Sequence, residues 1–152
     1  MTSRTGEAKM TDLPLSAART ILDAALTEAR RLNLKPLAIV VLDGRGAVKA
    51  AIVEDGTSLK RFEVAHGKAY GALALGMGSR AIGKRAAEQP TFVAAVSHVV
   101  GGALVPVPGG VLAMAGDGRV VAAIGVSGDT SDNDEACAKA GIEAAGLTAD
   151  TG

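Results

Sequence analysis

The spacing of apolar positions along this chain changes several times, and each change marks an element. Leu15, Ala18, Leu22, Ala25, Ala29 and Leu32 recur at alternating spacings of three and four, which puts them on one face of a helix opened at Pro14. Leu37 to Leu42 follows as a short, nearly continuous apolar run. Asp43-Gly44-Arg45-Gly46 separates it from Val48 to Val53, and the two runs read as a β-hairpin. The first run is apolar on both faces, so it belongs in the middle of a sheet that is covered on each side.

Helical spacing resumes at Ser58, a candidate N-cap, and continues to Leu75. Gly76-Met77-Gly78 stops that helix, Ser79 is placed to cap a short one through Ala87, and Pro90 opens another that reaches Val99. Strand signals return in Leu104 to Val107, then in Gly110 to Ala115 and Arg119 to Val126. The last two flank Gly116-Asp117-Gly118, whose glycines supply the positive backbone angles of a tight hairpin turn. A final helix is expected from Asp132 to Ala145. Its entry through Asp129, Thr130, Ser131, Asp132, Asn133, Asp134 and Glu135 reads as capping and dipole complementation, because the glycine and distal glutamate of a calcium loop are out of position. Ala136, Ala140, Gly141, Ala144 and Ala145 give this helix a small-residue face suited to close packing on a sheet or on another subunit. The order is helix, hairpin, helices, hairpin, helix, an α/β (α+β) arrangement.

A chain of 152 residues with 48% hydrophobic content can enclose one core, so residues 1–12 read as a disordered N-terminal tail, 13–147 as a single domain and 148–152 as a C-terminal tail. Formal net charge is zero and no long basic run occurs, which leaves nucleic acid and anionic membranes without an electrostatic footprint. Phe62, Tyr70 and Phe92 are the only aromatic side chains, too few for a base-stacking platform. No apolar run approaches the roughly 20 residues of a membrane helix. The expectation is a cytoplasmic protein. The lone Cys137 excludes an intrachain disulfide and, set among Ala and Gly on a helix, reads as an inert buried thiol.

Candidate chemistry concentrates in the second helix. Leu59, Phe62, His66, Ala69 and Leu73 follow helical spacing, so His66 falls on an apolar stripe, where an imidazole is either a core histidine bonded to a carbonyl or an axial ligand, acid or base. Arg61 and Lys68, two turns apart on the adjoining face, project cations to one region or stand exposed. Tyr70 offers a hydroxyl. In Gly76-Met77-Gly78-Ser79-Arg80, backbone amides before a helix start bind an anion with help from Ser79 and Arg80, or the glycines simply stop one helix and Ser79 caps the next. The segment is neither a dinucleotide fingerprint nor a P-loop, since it follows a helix and lacks the Gly-Lys-Ser/Thr sequence. His98 lies either at a pocket mouth or at a helix end that favours its charge.

Several short motifs then act together: Lys68-Ala69, Pro108-Gly109-Gly110-Val111, Gly118-Arg119-Val120-Val121, Ala123-Ile124-Gly125-Val126-Ser127-Gly128, Asp134-Glu135-Ala136-Cys137-Ala138 and Ala140-Gly141-Ile142. Nearly all of the chain beyond the first dozen residues resembles the GlcG/HbpS family, the DUF336 domain also found at the C-terminus of PduO-type proteins. The resemblance implies a profilin-like, five-stranded antiparallel sheet flanked by helices, assembled as a homo-oligomer, dimeric or larger. It also implies a small-molecule ligand, haem in several members. This chain lacks the histidine that some members carry in the first helix. His66 then stands first as a haem axial ligand and His98 second, with Arg61, Lys68, Ser79 and Arg80 available to propionates. The alternative is a small-molecule enzyme with a subunit-interface pocket, in which His66, Lys68 and Tyr70 perform acid–base chemistry on a carbonyl or carboxylate metabolite. A third reading is an accessory subunit without a ligand.

Overall fold

The computed structural model describes residues 13–152, and the tail expected over residues 1–12 lies outside them. The elements run α1 (Leu15–Arg31), β1 (Ala38–Asp43), β2 (Val48–Val53), α2 (Arg61–Leu75), α3 (Ser79–Glu88), α4 (Pro90–Val99), β3 (Gly110–Met114), β4 (Val120–Ser127), α5 (Ser131–Ala144) and β5 (Thr148–Asp150). The strands form one five-stranded sheet in the order β2-β1-β4-β3-β5, with every neighbouring pair antiparallel. This is the five-stranded antiparallel sheet with flanking helices that the resemblance implied.

Strand β1 sits between β2 and β4 and is buried along its whole length, as its doubly apolar sequence requires. Ile39 and Val41 point to one side, where α1 and α5 cover them together with Val111, Ile124 and Val126. Ala38, Val40 and Leu42 point to the other, beneath α2, with Leu112 and Ala123. Burying one such aliphatic side chain contributes about 1.5–3 kcal/mol. A smaller cluster of Ile82, Val93 and Leu104 joins α3 and α4 and the segment that follows them.

The fifth strand differs from the one expected. Leu104 to Val107 is not a strand but a crossing segment over α2, where the Val105 N–H donates to the Gly67 carbonyl (3.2 Å) and the Val107 N–H to that of Val105 (3.0 Å). Pro106 removes one of the N–H groups a ladder needs, and Pro108 follows directly. Residues 148–152, expected as a tail, instead supply β5: Thr148, Ala149 and Asp150 pair with Met114, Ala113 and Leu112. Beyond β5, Thr151 lies so close to Gly78 that a Cβ at position 78 would fall 2.1 Å from its carbonyl carbon.

Two helix starts also shift. Lys60, not Ser58, occupies the N-cap position of α2, and Ser58 instead accepts the Arg61 N–H in a preceding turn (3.1 Å). Gly78 takes the N-cap position of α3, which leaves Ser79 as its first helical residue. The entry to α5 behaves as capping chemistry demands, with the Thr130 hydroxyl accepting the Asn133 N–H at 3.2 Å.

Candidate functional site

Helix α2 has two unlike faces, and the small residues of its inner face let it lie very close to the sheet. A Cβ at Gly125 in β4 would fall 1.9 Å from the Ala65 carbonyl oxygen, and one at Gly110 in β3 would fall 2.1 Å from that of Lys68. Neither position tolerates a side chain while α2 stays where it is.

Lys68 belongs to that inner face. Its Nζ donates to the Val126 carbonyl at 2.9 Å and to Asp134 Oδ2 at 3.2 Å, with 2% of the lysine and 1% of the aspartate exposed. Asp134 Oδ1 accepts the Asp129 N–H at 3.0 Å. The pair therefore ties α2 to β4 and α5. Burial pulls the Lys68 ammonium below the ordinary lysine range, although the Asp134 charge and hydrogen bond oppose this. Burial likewise pushes the Asp134 carboxyl up against the favourable pull of Lys68. This is the signature of a charge pair removed from water.

The outer face carries a column of rings. The His66 ring lies between those of Phe62 (centroids 6.0 Å apart) and Tyr70 (5.5 Å apart, stacked at 21°), as spacing by four along a helix dictates. His66 is half-buried, and neither ring nitrogen hydrogen bonds to a described residue. With Phe62, Glu63 and Val48 of β2, and facing Gly101-Gly102-Ala103, it lines a cavity of about 340 Å³. Tyr70 closes instead over the β1–β2 turn, where a Cβ at Gly46 would meet its ring at 2.9 Å. It lines a neighbouring cavity with Arg45 and Val100.

The remaining candidates stand elsewhere. The Arg61 guanidinium donates to Ser127 Oγ at 3.2 Å and borders a different cavity. Ser79 is buried, with its Oγ accepting the Gly110 N–H at 2.7 Å. Arg80 bridges Asp132 and Glu135 at the start of α5, and these acids raise its pKa further. His98 is exposed near the end of α4. The structure thus joins His66 to Phe62 and Tyr70 but not to Lys68, Ser79, Arg80 or His98. Spacing along a helix gave no sign that Val48 and the Gly101-Gly102-Ala103 turn would complete the cavity.

Cys137 is buried, and burial pushes its thiol up to about 12, so it is not a thiolate donor. Among the described residues no three His, Cys, Asp or Glu side chains are grouped to hold a metal ion, and no helix is long and apolar enough to cross a membrane.

Solved structures repeat this fold. A double mutant of Streptomyces reticuli HbpS is 29% identical with TM-score 0.76, matching 89% of this chain and 88% of that one. The PduOC:heme complex is 22% identical with TM-score 0.79 over 89% of this chain and 96% of that chain. Klebsiella pneumoniae ORFY, a DUF336 protein, is 22% identical with TM-score 0.80 over 91% and 93%. A search of curated protein sequences gives no match. The sequence profile described as "Haem degrading protein HbpS-like" matches residues 13–143, and the chain therefore belongs to the HbpS-like family.

Proposed function

We propose that this protein binds haem in the cavity between α2 and the β2 edge, with His66 as the axial ligand. The observation that carries the reading is a half-buried imidazole, free of hydrogen bonds to described residues, on a wall it shares with Phe62 and Val48. Opposite, Gly101 and Gly102 present no side chains, and a Cβ at either would meet nothing within 4 Å. Such a wall suits a flat apolar ligand. Bound haem would supply redox-active iron; a His66 nitrogen would hold it, and Phe62 and Tyr70 would fix the plane of that imidazole. Glu63 is the charged residue on this wall, so the cavity offers propionates no cation of its own. Support also comes from the family and from the haem named in the PduOC structure.

The chemistry would need only one chain, but the surface supports a homo-oligomer. Val48 and Val53 on β2 are 51% and 54% exposed, and Phe92 and Val99 on α4 are 46% and 83% exposed. Apolar surface of this kind is commonly covered by a partner.

Titrating the purified protein with haem and recording the absorption spectrum tests the reading. A saturable Soret band is expected. His66→Ala should abolish or shift it and His98→Ala should leave it alone. Absence of a saturable band overturns haem binding, and an unchanged spectrum in His66→Ala overturns the ligand assignment.

A further inference from the structure

A second cavity, of about 270 Å³, shares no lining residue with that of His66. Both charged side chains on its wall are cations, Lys35 and Arg61, and it also carries the hydroxyls of Thr57 and Ser58 and the backbone of Gly56 and Gly128. We propose that this cavity binds a small oxyanion, a phosphate or carboxylate group, between Arg61 and Lys35.

Arg30, Arg31, Arg45, Arg80 and Arg119 each pair with a carboxylate, whereas Arg19, Arg61 and Arg85 pair with none among the described residues. Of these three, Arg61 is the one on the wall of this cavity. Its recorded protein bond is the Nη1 contact to Ser127 Oγ, which anchors one nitrogen and leaves the rest of the planar fork for a ligand. The charge of Arg61 reaches Lys68, where it opposes the ammonium form. An anion bound at Arg61 relieves that repulsion.

Lys35 makes no ion pair among the described residues, and the Thr57 and Ser58 hydroxyls make no hydrogen bond there. The carboxylate beside Lys35 is Asp129, which is held ionised by the Lys35 and Thr130 N–H groups and the Asn133 Nδ2 and feels the Lys35 charge without pairing to its ammonium, and it does not line the cavity. Glu54 is likewise engaged, by Arg30 and by the Leu37 N–H. Asp55 is exposed and does not line the cavity. Two of the wall residues are tightly packed on one another: Gly128 has φ +151°, and a Cβ there would fall 2.2 Å from the Pro36 carbonyl oxygen. A guanidinium fork, an ammonium and two hydroxyls lining one cavity are the donors that oxyanions require. The volume suits phosphate or a short dicarboxylate.

The test is a titration of the haem-free protein with inorganic phosphate and, separately, with malonate, at constant ionic strength, followed by backbone amide NMR. Saturable shifts are expected at Gly56, Arg61 and Gly128. Arg61→Met should weaken binding about tenfold, as loss of a bidentate charged contact does. Lys35→Met, which removes no hydrogen bond from the side chain, should weaken it by a smaller factor and keep the wild-type thermal midpoint, so that lost binding is separable from lost fold. Arg19→Met should change nothing. Saturation by either anion supports the site, and the tighter one names the ligand class. Shifts that never saturate, or that survive both Arg61→Met and Lys35→Met, overturn the proposal.

Discussion

On the α1–α5 side the sheet presents Ile39, Val41, Val111, Ile124 and Val126, whereas on the α2 side the helix meets Ala38, Val40, Leu42, Leu112 and Ala123 through Ala65, Ala69 and Ala72, with Gly110 and Gly125 directly under its backbone. Large interdigitated side chains hold the first interface at ordinary packing distance. Small ones let α2 settle almost onto the β3 and β4 backbones, and its larger side chains Phe62, His66 and Tyr70 line the flank of the helix, half-buried, with Phe62 and Tyr70 packed against the margin of that core. The side on which the helix meets the sheet through alanine and glycine is therefore the side with the rings and the cavity of His66. Close helix–sheet approach and an open outer face are two consequences of one choice of residue size.

The strongest way to break that contrast is Gly125→Val. The new side chain would strike the Ala65 carbonyl, which is backbone and has no rotamer through which to retreat. The expected loss is about 3 kcal/mol or more, at the upper end for overpacking. A chemical denaturation curve that matches the wild type would show that α2 does not lie on Gly125.

Next in size is the buried pair. Lys68→Met strands the Asp134 carboxylate in the interior and should cost about 3–5 kcal/mol, while Lys68→Met with Asp134→Leu should recover much of it. Denaturant unfolding of both variants measures the difference. Equal losses in the single and double variants would mean that packing, and not an unpaired charge, sets the cost. His66→Ala, on the outer face of the same helix, should change stability by less than about 1 kcal/mol while removing the haem spectrum, because the residue is only partly buried and makes no hydrogen bond to the described residues. A large stability loss from His66→Ala would make the ring column part of the core.

How far the sequence could be read follows the same division. The α1 stripe, the doubly apolar β1 and both hairpins were legible because aliphatic side chains announce their periodicity. On α2, the expected stripe of Leu59, Phe62, His66, Ala69 and Leu73 is buried only at Ala69; Leu59 is 90% exposed, and Ala65, Lys68 and Ala72 share the buried face. Alanine and glycine mark close approach only when the approaching backbone is known, and Gly110 and Gly125 lie far along the chain. Lys68 looked like a surface cation for the same reason: its partners, Val126 and Asp134, are 58 and 66 residues away. The sequence of β5 has only three residues and no period, so its pairing with β3 had to come from the fold. Of the small face expected on α5, only Gly141 is buried and Ala144 is exposed; the buried face is Asp134, Cys137, Ala138, Gly141 and Ile142. Gly141 faces α1, where a Cβ would lie 2.6 Å from the Ile21 carbonyl oxygen.

The smallest effect is also the most specific to the α5 side, and it concerns two aspartates at the entry to that helix whose shifts run in opposite directions. Asp129 accepts hydrogen bonds from Asn133, Lys35 and Thr130, which bring its pKa from 3.8 down to about 2. The folded state therefore favours the ionised carboxylate. That contribution is fully present above the unfolded value of 3.8 and is lost as pH falls through about 2. Asp134 is raised by burial, so its folded form holds the proton more tightly; its contribution is greatest below 3.8 and is lost as pH rises through the folded value. These opposed contributions both enter the acid limb of wild-type unfolding, beside those of Glu28, Asp43 and Asp117, whose carboxyls are also held below the ordinary range, and comparison with Asp129→Asn isolates the first. Thermal unfolding of the variant should begin at a lower temperature than that of the wild type near neutral pH, with the gap closing as pH falls from 3.8 toward about 2. A gap that stays constant over that window would mean that Asp129 acts through hydrogen-bond geometry alone and takes no part in the acid response.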